Sequence, residues 1–135
     1  MREVKEKIST KELQERYAGL AEVIKEKKLF PAAVNVAMAK NNAIMTEEMK
    51  SNGEAARDII DKFVMKDGSG EPVVKNNRYV FETAENEKAY ISAMEELNNI
   101  EFECRVQKVS RNIFDEKHEE PTAYDLVLLD FMLED

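Results

Sequence analysis

The sequence predicts an α+β protein, rich in helix. It combines one long helix, two or three shorter ones and a small antiparallel sheet, in a single domain spanning 1–135. Three observations carry this reading. Apolar residues recur at helical spacing through most of the first 66 positions. Ile100, Phe102, Cys104 and Val106 alternate with Glu101, Glu103, Arg105 and Gln107, the pattern of a strand with one buried face. The turn signals Asp67-Gly68-Ser69-Gly70-Glu71-Pro72 and Asn76-Asn77 separate the helical first half from the shorter elements that follow.

The elements follow in chain order. Residues 2–8 read as a short strand with Val4 and Ile8 on one face. Ser9 is placed to cap a helix, with Glu12 three positions on to complete a capping box. Leu13, Tyr17, Leu20 and Ile24 make 10–28 an amphipathic helix. Gly19 lies inside it, where glycine costs about 1 kcal/mol of helix propensity relative to alanine, and so marks a close helix contact. Pro31 suits the first turn of the next helix. Val34, Met38, Met45, Met49, Ala56, Ile59 or Ile60, and Phe63 then continue the period, with polar Asn41 and Asn52 in the same stripe. This predicts one helix over 31–66, about 54 Å long if unbroken at Gly53. Val73-Val74 and Tyr79-Val80-Phe81 predict a hairpin turning at Asn76-Asn77.

Thr83 caps a third helix over 84–98, with Tyr90, Met94 and Leu97 as its stripe. A strand over 100–107 follows, then a polar loop. Thr122 and Asp125 open a final segment, 122–134, in which Leu126, Leu129 and Leu133 share a helical face. Its apolar run also suits a strand. The core expected from these patterns is Leu13, Leu20, Ile24, Val34, Met38, Met45, Ile60, Phe63, Phe102, Cys104, Leu126 and Leu129.

Charge is uneven along the chain. Residues 1–66 hold 13 Lys and Arg against 11 Asp and Glu, whereas 67–135 hold 7 against 17. Phosphates are repelled by such a second half, which argues against direct nucleic-acid binding through it. A basic protein surface is the complementary partner. A single cysteine forms no internal disulfide. No stretch approaches the roughly 18 apolar residues of a membrane span. The expectation is a soluble, cytoplasmic protein that touches no membrane.

Residues with chemical potential are few: one histidine, one cysteine, no tryptophan. Asp115 and His118, three apart, are the single place where histidine meets carboxylates in a metal-ligand spacing. A solvated acidic loop explains them as well. Cys104 lacks an evident base and reads as a buried thiol. Asp67-Gly68-Ser69-Gly70-Glu71 has neither the ligand pattern of an EF-hand nor the lysine of a phosphate loop. No catalytic residue, metal ligand or cofactor is therefore assigned, and the protein is read as not an enzyme.

What remains is surface. The methionine side of the long helix, Met38, Met45 and Met49, is the first choice for a partner or homodimer contact, since methionine serves both cores and adaptable interfaces. The acidic residues Glu95, Glu96, Glu101, Glu103, Glu119 and Glu120 are the candidates for meeting a basic partner.

The order of segments is similar to that of a family of small proteins from tailed phages and prophages of Gram-positive bacteria. The likeness rests on Val34-Asn35-Val36-Ala37-Met38-Ala39-Lys40-Asn41-Asn42 after a leucine-phenylalanine-proline break. It rests also on the glycine-rich turn, the Glu-x-Glu strand and the closing Leu128-Leu129-Asp130-Phe131-Met132-Leu133-Glu134. These are packing patterns, and the family carries no catalytic residues to transfer. The resemblance implies a phage or prophage product made in the bacterial cytoplasm. Two roles suit it: inhibition of a host-defence nuclease complex of the CRISPR type, or assembly of the virion tail. A small metal-dependent hydrolase centred on Asp115 and His118 is the enzymatic alternative.

Overall fold

The computed structural model describes all residues 1–135. Its elements are β1 (Arg2–Ser9), α1 (Thr10–Lys25), α2 (Ala32–Phe63), β2 (Val74–Lys75), β3 (Arg78–Tyr79), α3 (Ala84–Asn99), β4 (Glu101–Ser110), α4 (Ala123–Leu129) and β5 (Leu133–Glu134). The α+β architecture with one long helix is as the sequence predicts. The chain gathers into two compact units, a subdivision that the sequence reading does not anticipate. One contains 1–49 and 101–135, the other 50–100.

In the first unit, β1 and β4 pair antiparallel in an unbroken register from Arg2 opposite Lys108 to Ser9 opposite Glu101. The sheet order is β1-β4-β5, and β5 runs parallel to β4. The sheet is thus mixed. The expected helix over 122–134 ends at Leu129, a 3₁₀ turn covers Asp130–Met132, and Leu133 and Glu134 become strand. Helical spacing of the leucines is local information. Pairing of Leu133 with Val109 is a long-range choice that overrides it for two residues.

Local rules set most helix ends. Ser9 Oγ accepts the Glu12 amide at 3.1 Å and starts α1. The helix stops at Lys25 rather than 28, because Lys27 turns left-handed at φ 55° and closes the last turn. Pro31 precedes α2, and its carbonyl accepts the Val34 and Asn35 amides. Unbroken by Gly53, α2 runs to Phe63, short of the expected 66. Residues beyond it leave the helix to pair: Met65 donates to the Val80 carbonyl and accepts from the Val73 amide.

The core of the first unit contains Ile8, Leu13, Leu20, Val23, Phe30, Val34, Ala37, Met38, Met45, Cys104, Val106, Leu129 and Met132. Ile24 is not in it, being 38% exposed. Val23 and Ile24 are adjacent on α1, and the inward position falls to Val23. Phe102 and Leu126 are half-buried against this core. Asn41, in the apolar stripe, is 2% exposed. Its amide group donates to the Gln107 carbonyl at 3.0 Å and accepts the Gln107 amide at 2.7 Å. It thereby occupies the place of a strand beside β4, just before β5 takes over at Val109.

In the second unit the hairpin turns where expected, with Asn76 and Asn77 at φ 53° and 62°. Thr83 Oγ1 caps α3 through the Asn86 amide at 3.0 Å. Val64 and Leu97 are buried, while Ile60 and Phe63, expected in the core, are half-buried. Tyr79, Phe81 and Tyr90 form a ring cluster with centroids 5.2 and 5.9 Å apart.

Candidate partner-binding surface

The short helix α4 is held rigidly. Thr122 and Asp125 form a reciprocal capping box at its start. Asp125 is fully buried and takes the Lys28 ammonium at 2.8 Å, which ties α4 to the segment after α1. Burial alone would raise the Asp125 carboxyl. The hydrogen bonds from Lys28 and the Thr122 amide outweigh it and hold the group below its ordinary value. The same bond raises the Lys28 ammonium.

Along its length α4 runs against α1 in the opposite sense. Tyr124 Oη donates to Glu22 at 3.0 Å, Gly19 abuts Leu128, and the Arg16 guanidinium lies 5.3 Å from the Phe131 ring centroid. Gly19 permits this approach, since a Cβ there would sit 3.1 Å from Leu128 Cδ2. With Leu129 turned inward, Tyr124 and Val127 face outward, 59% and 70% exposed. Beside them lies an open groove of about 390 Å³, lined by Glu15, Arg16, Gly19, Val127, Leu128, Asp130 and Phe131. Its one cation is already engaged, since Arg16 pairs with Glu6 at 3.2 Å, and its Asp130 pairs with Arg111 outside the groove. Glu15 remains exposed at the margin, and Glu22 is exposed where it accepts from Tyr124. The result is an apolar centre with an acidic rim.

The residues chosen from sequence are dispersed. Met38 and Met45 are buried in the core and Met49 is half-buried against it, so the methionine side of α2 faces the interior of this unit. Apolar spacing marks a buried face equally well whether its cover is intramolecular or not. Glu119 is a clamp: its amide donates to the Leu29 carbonyl at 3.1 Å, and its carboxylate accepts the Leu29 amide. Glu101 and Glu103 stand on the outer face of β4, with Lys7 opposite Glu103 and 3.7 Å from Glu101. Glu3, Lys5 and Arg105 share that face, so its charges balance. Glu120 is exposed on the loop before α4, and Glu95 and Glu96 are exposed on α3 in the other unit. Folding also redistributes the acidic bias. The first unit holds 13 basic against 18 acidic residues and the second 7 against 10.

Asp115 and His118 do meet, with Nδ1 2.7 Å from Oδ1, and the contact holds the Asp115 carboxyl below its usual range. No group of three or more His, Cys, Asp or Glu side chains converges in metal-binding fashion. Cys104 is buried on the inner face of β4, and burial, with the Glu48 carboxylate, pushes its thiol up. The thiolate is the reactive form. Cys104 in the native protein is therefore expected to react with a thiol reagent at least a hundredfold more slowly than in denaturant, checked by absorbance of the released chromophore.

No helix is long and apolar enough to cross a membrane. No protein-family model, curated protein or solved structure matches the chain.

Proposed function

We propose that the protein acts by binding another protein, and that the α1–α4 surface makes the contact. The observation that carries this is the outward exposure of Tyr124 and Val127 on a helix anchored by a buried carboxylate. Large apolar groups clustered on a rigid, acid-rimmed surface are a recurrent feature of recognition sites. The complementary partner presents an apolar ridge flanked by lysine or arginine, which excludes nucleic acid itself. Within the phage setting implied by the resemblance, the partner is a host protein of the bacterial cytoplasm. A defence nuclease complex, whose basic groove an acidic ligand would occlude, fits this chemistry.

Val127→Glu is the informative variant. At a site this exposed the change leaves stability within about 0.5 kcal/mol. Affinity capture from host cells with mass spectrometry is expected to recover a partner with the parent protein, less of it in high salt, and none with Val127→Glu. Undiminished recovery with the variant rejects this surface. Recovery of tail components in place of nuclease subunits assigns the binding to virion assembly.

A further inference from the structure

The open edge of the sheet carries a second, separate message. Successive residues of a strand turn their N–H and C=O groups to opposite sides. Gln107 turns both of its groups to Asn41, away from β1. The even-numbered residues of β4 therefore face β1, and the unbroken register sets the even-numbered residues of β1 opposite them. Glu3, Lys5 and Lys7 consequently turn their backbone groups to the other side. There the sheet order β1-β4-β5 places no strand. Three successive steps of backbone are left without a protein partner.

Charge on an edge ordinarily keeps other strands away. Here the order of the charges matters. Residues 2–6 read Arg-Glu-Val-Lys-Glu. Set antiparallel against an identical strand and centred on Val4, Arg2 faces Glu6, Glu3 faces Lys5, and valine faces valine. Every charged position meets its opposite, and each pair occurs twice by symmetry. Arg2 already holds Glu134 at 2.6 Å and Glu6 already holds Arg16 at 3.2 Å within the chain, so the two Glu3–Lys5 pairs carry the complementarity. Neighbouring registers fail. Centring on Lys5 sets lysine against lysine, and centring on Glu6 sets Glu6 against itself and Lys5 against Lys7. Centring on Glu3 opposes two glutamates.

The chain's own sheet supplies a further reason. Lys5 stands directly opposite Arg105, a like-charge pair. It has no counter-ion within its own chain, whereas Glu3 lies 3.8 Å from Arg105 and Lys7 lies 3.7 Å from Glu101. Glu3 of a second copy would supply that missing charge. The paired window also closes before α1 begins at Thr10, and Arg2, Glu3 and Lys7 have side chains 67%, 48% and 71% exposed.

We propose that β1 is the docking edge for a second copy of this chain. The two β1 strands pair antiparallel about Val4 and join two three-stranded sheets into one of six. This contact is distinct from the α1–α4 surface, and neither reading requires the other.

Sedimentation equilibrium of the full, tag-free chain tests it. The parent protein is expected to show a monomer–dimer equilibrium that weakens with added salt. Lys5→Glu reverses two symmetric pairs and should weaken the dimer about tenfold. It also removes the clash with Arg105, so its melting temperature should not fall. The exchange Glu3→Lys with Lys5→Glu restores both pairs and should return the dimer to the parent's constant. Circular dichroism checks that each variant folds, and if the double variant does not, Lys5→Glu alone decides. A parent protein that stays monomeric at every soluble concentration overturns the proposal. So does a dimer indifferent to Lys5→Glu, a folded double variant that fails to recover, or a monomer that takes up a foreign strand at this edge.

Discussion

Replacing Asp125 by alanine is expected to lower the stability of the first unit by about 3 kcal/mol, and its melting midpoint by roughly 15 °C. The carboxylate is fully buried and serves two partners, the Lys28 ammonium at 2.8 Å and the Thr122 amide at 3.0 Å. Its removal leaves the half-buried Lys28 ammonium with Glu26 alone, 3.6 Å away, and opens the capping box of α4 at the same time. The pH dependence has a definite sign. The folded-state carboxyl is held below its ordinary value of 3.8. Its contribution is therefore complete above that value and drains away as the pH falls through the folded-state value. Thermal melts of the parent protein and Asp125→Ala should be well separated at pH 7 and converge in acid. Because the same residue fixes α4, the variant should also weaken partner capture, whereas Val127→Glu should weaken capture alone.

Asn41→Leu is the second large effect. The substitution keeps the branching and the number of side-chain heavy atoms but removes the amide that pairs with both backbone groups of Gln107. Two strand groups then lose their partners at a part-buried place, at about 1–3 kcal/mol for each fully buried group. A loss near 3 kcal/mol in urea unfolding is expected. Asn41→Asp provides a check with the opposite pH trend to Asp125. Its ionised carboxylate would keep the Gln107 amide but oppose the Gln107 carbonyl, inside the core. That raises its folded-state pKa, so the variant should gain stability as the pH falls. A variant equally stable at pH 4 and pH 8 would count against this clamp.

Features set by a few neighbouring residues were legible in the sequence. Ser9, Thr83 and Thr122 cap the helices they precede, and Asn76-Asn77 turns the hairpin. The strand β4 announces itself by alternation, whereas β1 is marked only by Val4 and Ile8 on one face of a highly charged stretch. Asn41 was visible as a polar residue in an apolar stripe, but its partner lies 66 positions away and nothing local names it. The two residues of β5 were hidden because Leu126, Leu129 and Leu133 satisfy a helix equally well.

The candidate site was harder to read. The methionines were attractive because they are adaptable, yet their spacing fitted the unit's own core. The missed signal was the run Leu126-Val127-Leu128-Leu129. Four consecutive apolar residues on one helix cannot all face inward, since successive side chains are about 100° apart. One of them had to be outside, and Val127 is. The acidic residues were chosen by their position in the sequence. Folding spread them among a balanced sheet face, a clamp to Leu29, a loop and a helix of the other unit.

The first unit is assembled from two stretches of chain with the whole of the second unit threaded between them. On the ribosome, Arg2 emerges long before Lys108, its eventual neighbour in the sheet. The intervening segment 50–100 can close its hairpin and helices while β1 waits, because its contacts are short in sequence. During that interval the strand must stay dissolved without a neighbour, and alternating glutamate and lysine suit it to do so. Slow, late joining of the two ends is therefore built into this arrangement, and hydrogen exchange during refolding should protect 50–100 ahead of β1 and β4.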